Sequence, residues 1–150
     1  MTDRIWLRSY PEGVPADIDV TRYASMVDMM DESFKKFANL SAYSFMGKEL
    51  TYKQVDELSQ TFGVYLQSLG LVKGDRVAVM LDNCPQYYIA FYGILKLGAV
   101  YVPINPELRE HEVLHILEDA EAVSVIVTDR LAPQLLAARS LTSLESVFST

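Results

Sequence analysis

The stretch RVAVMLDNCPQYYIAFYGILKLGAVYVPI, residues 76–104, decides the fold. Arg76 to Leu81 is a near-continuous apolar run, the pattern of a strand buried on both faces of a parallel sheet. Asn83 is placed to cap a helix over residues 84–97, with Pro85 in its first turn, where a missing amide costs nothing. Gly98 supplies the stop, and Val100 to Ile104 reads as a second buried strand. By length alone, the one-charge run 87–104 approaches a membrane span. Lys96 at its middle, the glycine stop and the β-branched and aromatic residues that follow favour a helix and then a strand.

Working outward, apolar groups at Val27, Met30, Phe34 and Phe37 predict a helix over 24–38. Ala42 to Tyr52 reads as two short strands around Met46-Gly47-Lys48. Thr51 and Gln54 form a capping box that opens the next helix. Its apolar stripe is expected at Val55, Leu58, Phe62, Tyr65 or Leu66, and Leu69, with Gly70 at the C-cap and Lys53, Glu57, Gln60 and Gln67 in water. Downstream come a helix over 109–119, a strand over Val123 to Val127, a weaker helix over 133–140 and a fourth strand near Val147. Residues 1–22 are irregular, with a Trp6 expected to pack against something larger. Alternating strands and helices mean right-handed crossovers, hence an α/β fold with a mainly parallel sheet flanked by helices. Three or four strands are few for such a sheet, so the chain, ending at Thr150 near another strand, reads as the opening of a larger α/β protein.

Composition excludes several classes. Half of the 150 residues are apolar and the aromatic content is 11%, which rules out a disordered tail. A formal net charge of -7 disfavours nucleic acid as the main partner. One cysteine, Cys84, cannot make an internal disulfide, and the N-terminus has no apolar core of a signal peptide.

The loudest motif is HEVLH at 111–115. On a helix, His111 and His115 stand one turn apart, able to bind zinc, with Glu112 placed as general base. A catalytic zinc needs a third protein ligand, and the positions where one extended motif puts glycine and histidine hold Glu118 and Glu121. Glu145 is the downstream carboxylate left for the role, in a strand approach. The plainer account is an amphipathic helix with Val113, Leu114 and Leu117 inward. At the junction Asp82-Asn83-Cys84-Pro85-Gln86 the location suits a ligand, but no glycine lets phosphate approach the backbone. Cys84 has no adjacent base and reads as an inert thiol. Tyr87, Tyr88 and Tyr92 share a helix and line either an apolar tunnel or, more ordinarily, a core. No glycine-flanked serine elbow joins the histidines into a triad.

The order of longer blocks says more. WLRSYPEGVPADID at 6–19 resembles the opening of bacterial long-chain fatty-acid–CoA ligases, and LTYKQVDELS at 50–59 resembles the first core motif of the adenylate-forming (AMP-binding) superfamily. Residues 70–106 are similar to that superfamily's second core region, and HILEDAEAVSVIV at 115–127 to the helix and strand after it. After Pro106 the chain departs from the long-chain ligases with Glu107-Leu108-Arg109-Glu110, while Glu112 and His115 match a charged Glu and His on the family's surface helix.

The resemblance implies that residues 1–150 are the incomplete N-terminal part of an adenylation large domain, with no separate second domain in this chain. It implies a two-step ligase that joins a fatty acid to ATP as an acyl-adenylate and then to CoA, with Mg²⁺ on the phosphates. The family's phosphate loop, aromatic-Thr-Glu segment, ribose-binding Asp and catalytic Lys all fall beyond residue 150. No catalytic, cofactor-binding or metal residue is therefore named here, and the segment alone is expected to be inactive and to bind none of ATP, Mg²⁺ or CoA. A cytoplasmic enzyme, peripheral at the inner membrane face and homodimeric, completes the expectation. A zinc hydrolase built on HEVLH and a non-catalytic α/β binding module are the alternatives.

Overall fold

The computed structural model describes residues 4–138 and 144–149. A 3-10 turn at Ile5–Ser9 precedes helix α1 (Met26–Lys36), the antiparallel hairpin β1 (Ser41–Phe45) and β2 (Lys48–Thr51), and helix α2 (Tyr52–Ser68). Strands and helices then alternate: β3 (Arg76–Met80), α3 (Pro85–Leu97), β4 (Val100–Pro103), α4 (Glu110–Asp119), β5 (Ser124–Val127), α5 (Ala132–Ala138) and β6 (Ser146–Ser149). Residues 139 and 140, expected in the last helix, lie outside the described residues.

The sheet is parallel, in the order β4-β3-β5-β6. Its first strand in the chain is internal: Val77 is opposite Tyr101 on one side and Ser124 on the other. The chain steps from β3 outward to β4, then crosses back past β3 to β5. Right-handed crossovers in opposite directions put α3 on one face and α4 with α5 on the other. Side chains alternate accordingly. Val77, Val79, Leu81 and Ile126 pack on Leu66, Ala90 and Ile94, while Ala78, Met80, Val125 and Val127 pack on Val113, Leu117 and Leu135. Each fully buried aliphatic side chain contributes about 1.5–3 kcal/mol by leaving water. Met30, Phe34 and Val55 form a smaller cluster beneath the hairpin.

The two internal strands are buried as expected, but β4 is not. It is half-buried, with Val100 exposed, because among the described residues it has a neighbour on one side only. Pro103, which has no amide to donate, is suited to an edge strand. The cap of α3 also moves by one residue. Proline at the first helical position holds the residue before it extended, and Cys84 (φ -140°, ψ 165°) becomes the N-cap in place of Asn83, which is exposed. Gly98, at φ +80°, ends the helix as expected.

Helix α2 opens on the capping box: Gln54 N donates to Thr51 Oγ1 at 3.2 Å and Thr51 N to Gln54 Oε1 at 2.8 Å. Its buried line differs from the apolar stripe. Val55, Ser59, Gly63 and Leu66 are buried, whereas Leu58, Tyr65 and Leu69 are exposed. Close approach to α3 is the reason. A Cβ on Gly63 would stand 3.0 Å from Gly93 O, and one on Gly93 would stand 2.9 Å from Ser59 O. Small residues mark this seam.

The same interface accounts for Lys96. Its Nζ donates to Asp56 O (3.0 Å), Asp56 Oδ1 (2.5 Å) and Ser59 Oγ (2.9 Å), so all three protons are used. The run 87–104 is thus helix and strand, and among the described residues no helix is long and apolar enough to cross a membrane. Among the described residues Trp6 is 52% exposed.

Candidate functional site

Ligands of open α/β sheets bind beyond the carboxyl ends of the strands. Here β3 runs out into Leu81-Asp82-Asn83 and β4 into Ile104-Asn105-Pro106-Glu107. With Tyr87 as a wall, they bound an open crevice of about 440 Å³. Its floor is fixed by the sheet: Ile104 N donates to Val79 O at 2.9 Å, and Leu81 and Ile104 are buried. Asn105 Oδ1 accepts from Glu107 N at 3.0 Å, which turns the chain toward α4. Asp82, Asn83, Asn105 and Glu107 are exposed. The crevice therefore presents carboxylates and amides, without a lysine, arginine, histidine or glycine-rich loop. It can take polar donors in solution, but it offers nothing to cradle a triphosphate and no nucleophile–base pair.

Cys84 is half-buried at the start of α3, its carbonyl accepting from Tyr87 N at 3.1 Å, and both histidines lie on α4 across the sheet. The sequence placed Cys84 and Asn83 at this junction correctly and gave the cap to the wrong one. Thr128 Oγ1, just past β5, is buried without a partner among the described residues; a single hydroxyl does not make a site.

The tyrosines are half-buried, Tyr87 and Tyr92 against the core clusters and Tyr88 against Tyr43. Tyr43 stacks on Tyr88 with centroids 4.2 Å apart, Phe34 meets Tyr92 edge-on at 5.3 Å, and Phe91 meets Tyr101 at 4.9 Å. Their phenols pair off, Tyr43 with Tyr92 at 3.1 Å and Tyr101 donating to Tyr87. Burial first, and then these hydrogen bonds, push the Tyr43 and Tyr101 phenols above the ordinary tyrosine range. A second hollow of about 460 Å³ lies between α1, α2 and α3, lined by Asp31, Lys35, Asp56 and Lys96 among others. Lys96 has no proton left for a ligand there.

The zinc arrangement does not form. His111, Glu112 and His115 are all exposed on α4, and Val113 and Leu117 supply its buried face, with Leu114 half-buried. Glu112 Oε2 accepts from Arg109 N at 2.9 Å, which makes it a helix-start residue. Among the described residues no three or more His, Cys, Asp or Glu side chains converge as metal ligands, and Glu145 is exposed before β6. Sequence reading missed the use made of Arg76. Its Nε donates to Ala120 O at 2.9 Å and its Nη2 to Glu121 O and Oε2, tying the end of α4 to β3.

The family model for AMP-binding enzymes matches residues 30–149. In sequence, the chain is similar to a long-chain-fatty-acid–CoA ligase of Yersinia pestis, 40% identical over 134 residues, 89% of this chain and 24% of the ligase. It is 38% identical over 148 residues to the Escherichia coli enzyme of the same name, covering 98% of this chain and 26% of that one. In structure it matches a Mycobacterium tuberculosis fatty acyl CoA synthetase with TM-score 0.75 at 33% identity, over 81% of this chain and 26% of the other. The chain thus spans about a quarter of the length of these relatives.

Proposed function

The chain belongs to the AMP-binding enzyme family, and from that premise we propose that it is the N-terminal part of the large domain of a fatty-acid–CoA ligase. One observation carries the proposal: relatives bearing that name are 40% and 38% identical along 89% and 98% of its length. The N-terminal run at 6–19, outside the matched family region, supports the fatty-acyl branch in particular.

In the proposed reaction a fatty-acid carboxylate oxygen bonds to the α-phosphorus of ATP and pyrophosphate leaves. The CoA sulfur then bonds to the acyl carbonyl carbon, and AMP leaves. Mg²⁺ would neutralise charge on the phosphates. The residues described here do not fit ATP or Mg²⁺: the strand-end crevice is acidic and glycine-free, and no carboxylate cluster converges. No step is therefore assigned to them. On this proposal residues 1–150 supply scaffold, with the two glycine-seamed helices on one face of the sheet, and the reacting groups lie in sequence beyond Thr150. Cytoplasmic location, work at the inner membrane face and homodimerisation are finer parts of the proposal that rest on the resemblance alone.

The test uses the protein continued past Thr150 along its own coding sequence, incubated with ATP, palmitate and CoA. Palmitoyl-CoA, AMP and pyrophosphate are expected from it, and none from residues 1–150 alone. Turnover by residues 1–150 would overturn the proposal. Turnover of aryl carboxylates in place of fatty acids would overturn its fatty-acyl part.

A further inference from the structure

The HEVLH string leaves on α4 a pair of imidazoles that the fold does not use. Val113 and Leu117 face the core, while His111, His115 and Glu118 are exposed. At about 100° per residue the two histidines stand about 40° apart around the helix and one turn apart along it. Side chains four apart on a helix are neighbours, with Cβ atoms about 5–6 Å from each other. That span lets two ring nitrogens reach one metal ion at about 2.0–2.1 Å each.

Among the described residues neither imidazole makes a hydrogen bond or an ion pair. Glu112 is committed elsewhere, since its Oε2 accepts from Arg109 N. Glu118 shares the side of His111, about 20° away around the helix. It does not complete a metal centre, because no three such side chains converge among the described residues. A catalytic zinc takes three protein ligands and one open position. Two imidazoles fall short of that, and they still make a two-point chelate.

Charge favours a cation here. Helix α4 carries Glu110, Glu112, Glu118 and Asp119, and neither lysine nor arginine. Those carboxylates outweigh the roughly half a positive charge that the helix N-terminus presents near His111.

We propose that His111 and His115 together bind one zinc ion, or a similar first-row divalent cation, on the surface of α4, with water completing its coordination. Imidazole suits zinc, nickel and copper, whereas magnesium and calcium take oxygen ligands and should not compete. The ion joins the first two turns of α4. Because it binds the helical form alone, it stabilises that form. The inference holds whichever carboxylate the enzyme activates.

Zinc chloride titrated calorimetrically into the continued protein tests it, in a Cys84→Ser background that removes the competing thiol. One zinc per chain is expected to be lost or weakened at least roughly tenfold in His111→Ala and in His115→Ala, since each ring holds the ion at high effective concentration for the other. Combining His111→Ala with Glu110→His keeps two imidazoles but sets them five apart, off a common face. That variant should bind no better than the single ones. Zinc binding unchanged by these substitutions would overturn the proposal, as scattered attraction to carboxylates would produce. One zinc per two chains would replace the open chelate with a bridge between copies.

Two readouts on the unsubstituted protein stand apart from any variant that misfolds. Zinc, and not magnesium, should protect His111 and His115 from diethyl pyrocarbonate, read by mass spectrometry. Equal modification with and without zinc would overturn the proposal. Amide exchange across residues 110–119 should slow when zinc is added. Unchanged exchange would remove the link between the two turns.

Discussion

At the scale of single residues, the helix seam depends on two missing side chains. Gly93→Ala puts a methyl 2.9 Å from the Ser59 carbonyl, which is backbone and cannot step aside cheaply. Overpacking costs about 1–3 kcal/mol, and alanine returns up to about 1 kcal/mol of helix propensity. A lower urea midpoint is the expected net result. Lys96 gives a second test. Its side chain is 14% exposed and that of Asp56 38%, so the pair is partly screened. Lys96→Met should still cost about 1–3 kcal/mol, because it strands hydrogen-bond acceptors at a packed interface. The paired phenols make a third. In the unfolded chain Tyr43 and Tyr101 ionise near pH 10, while in the fold they hold their protons to higher pH. The unfolded state then binds fewer protons, so their contribution is complete below about pH 10 and is lost as pH rises past it. The share of tyrosinate absorbance that is lost in Tyr43→Phe and Tyr101→Phe variants should appear together with alkaline unfolding, not ahead of it. None of these three features could be read from periodicity. Glycine in a helix looks like a weakness, and lysine in an apolar run like an intrusion, until the facing helix is known.

At the scale of elements, local chemistry was readable and partnership was not. Thr51 and Gln54 specify their cap within four residues, and the structure has both bonds. Thr51→Ala should lower stability by about 1 kcal/mol in chemical denaturation. The runs RVAVM and SVIV contain their own answer, since a strand buried on both faces has no polar side to show. Strand β4 has similar composition but lies at an edge among the described residues, and composition does not say how many neighbours a strand has. On α4 a familiar motif proved to be surface. His115→Ala should change stability by less than about 0.5 kcal/mol and leave palmitate activation by the continued protein unchanged. A large loss of either would show that His115 has a partner not seen here. The candidate site was readable chiefly as a place. The strand ends were foreseeable from the βαβ pattern, but their acidic, glycine-free lining gave no chemistry to foresee.

At the scale of the molecule, the exposed apolar residues of α2 and the outer side of β6, open among the described residues, meet where Tyr65 packs edge-on against Phe148. Residues 1–150 in isolation should self-associate as concentration rises, with light scattering increasing ahead of any loss of helical signal. The opposite edge is less exposed to this hazard, because β4 is short and ends in Pro103. The strand order has a further consequence, which concerns time. Strand β3 is complete at Met80, but its partner β5 is complete only at Val127. At roughly 5–20 residues per second of synthesis, the interval is on the order of several seconds. Throughout it, one hydrogen-bonding edge of Val77 to Met80 has no strand to pair with. The centre of the finished sheet is thus, on the ribosome, its longest-waiting edge, and a chaperone that recognises unpaired apolar strands would meet this protein there.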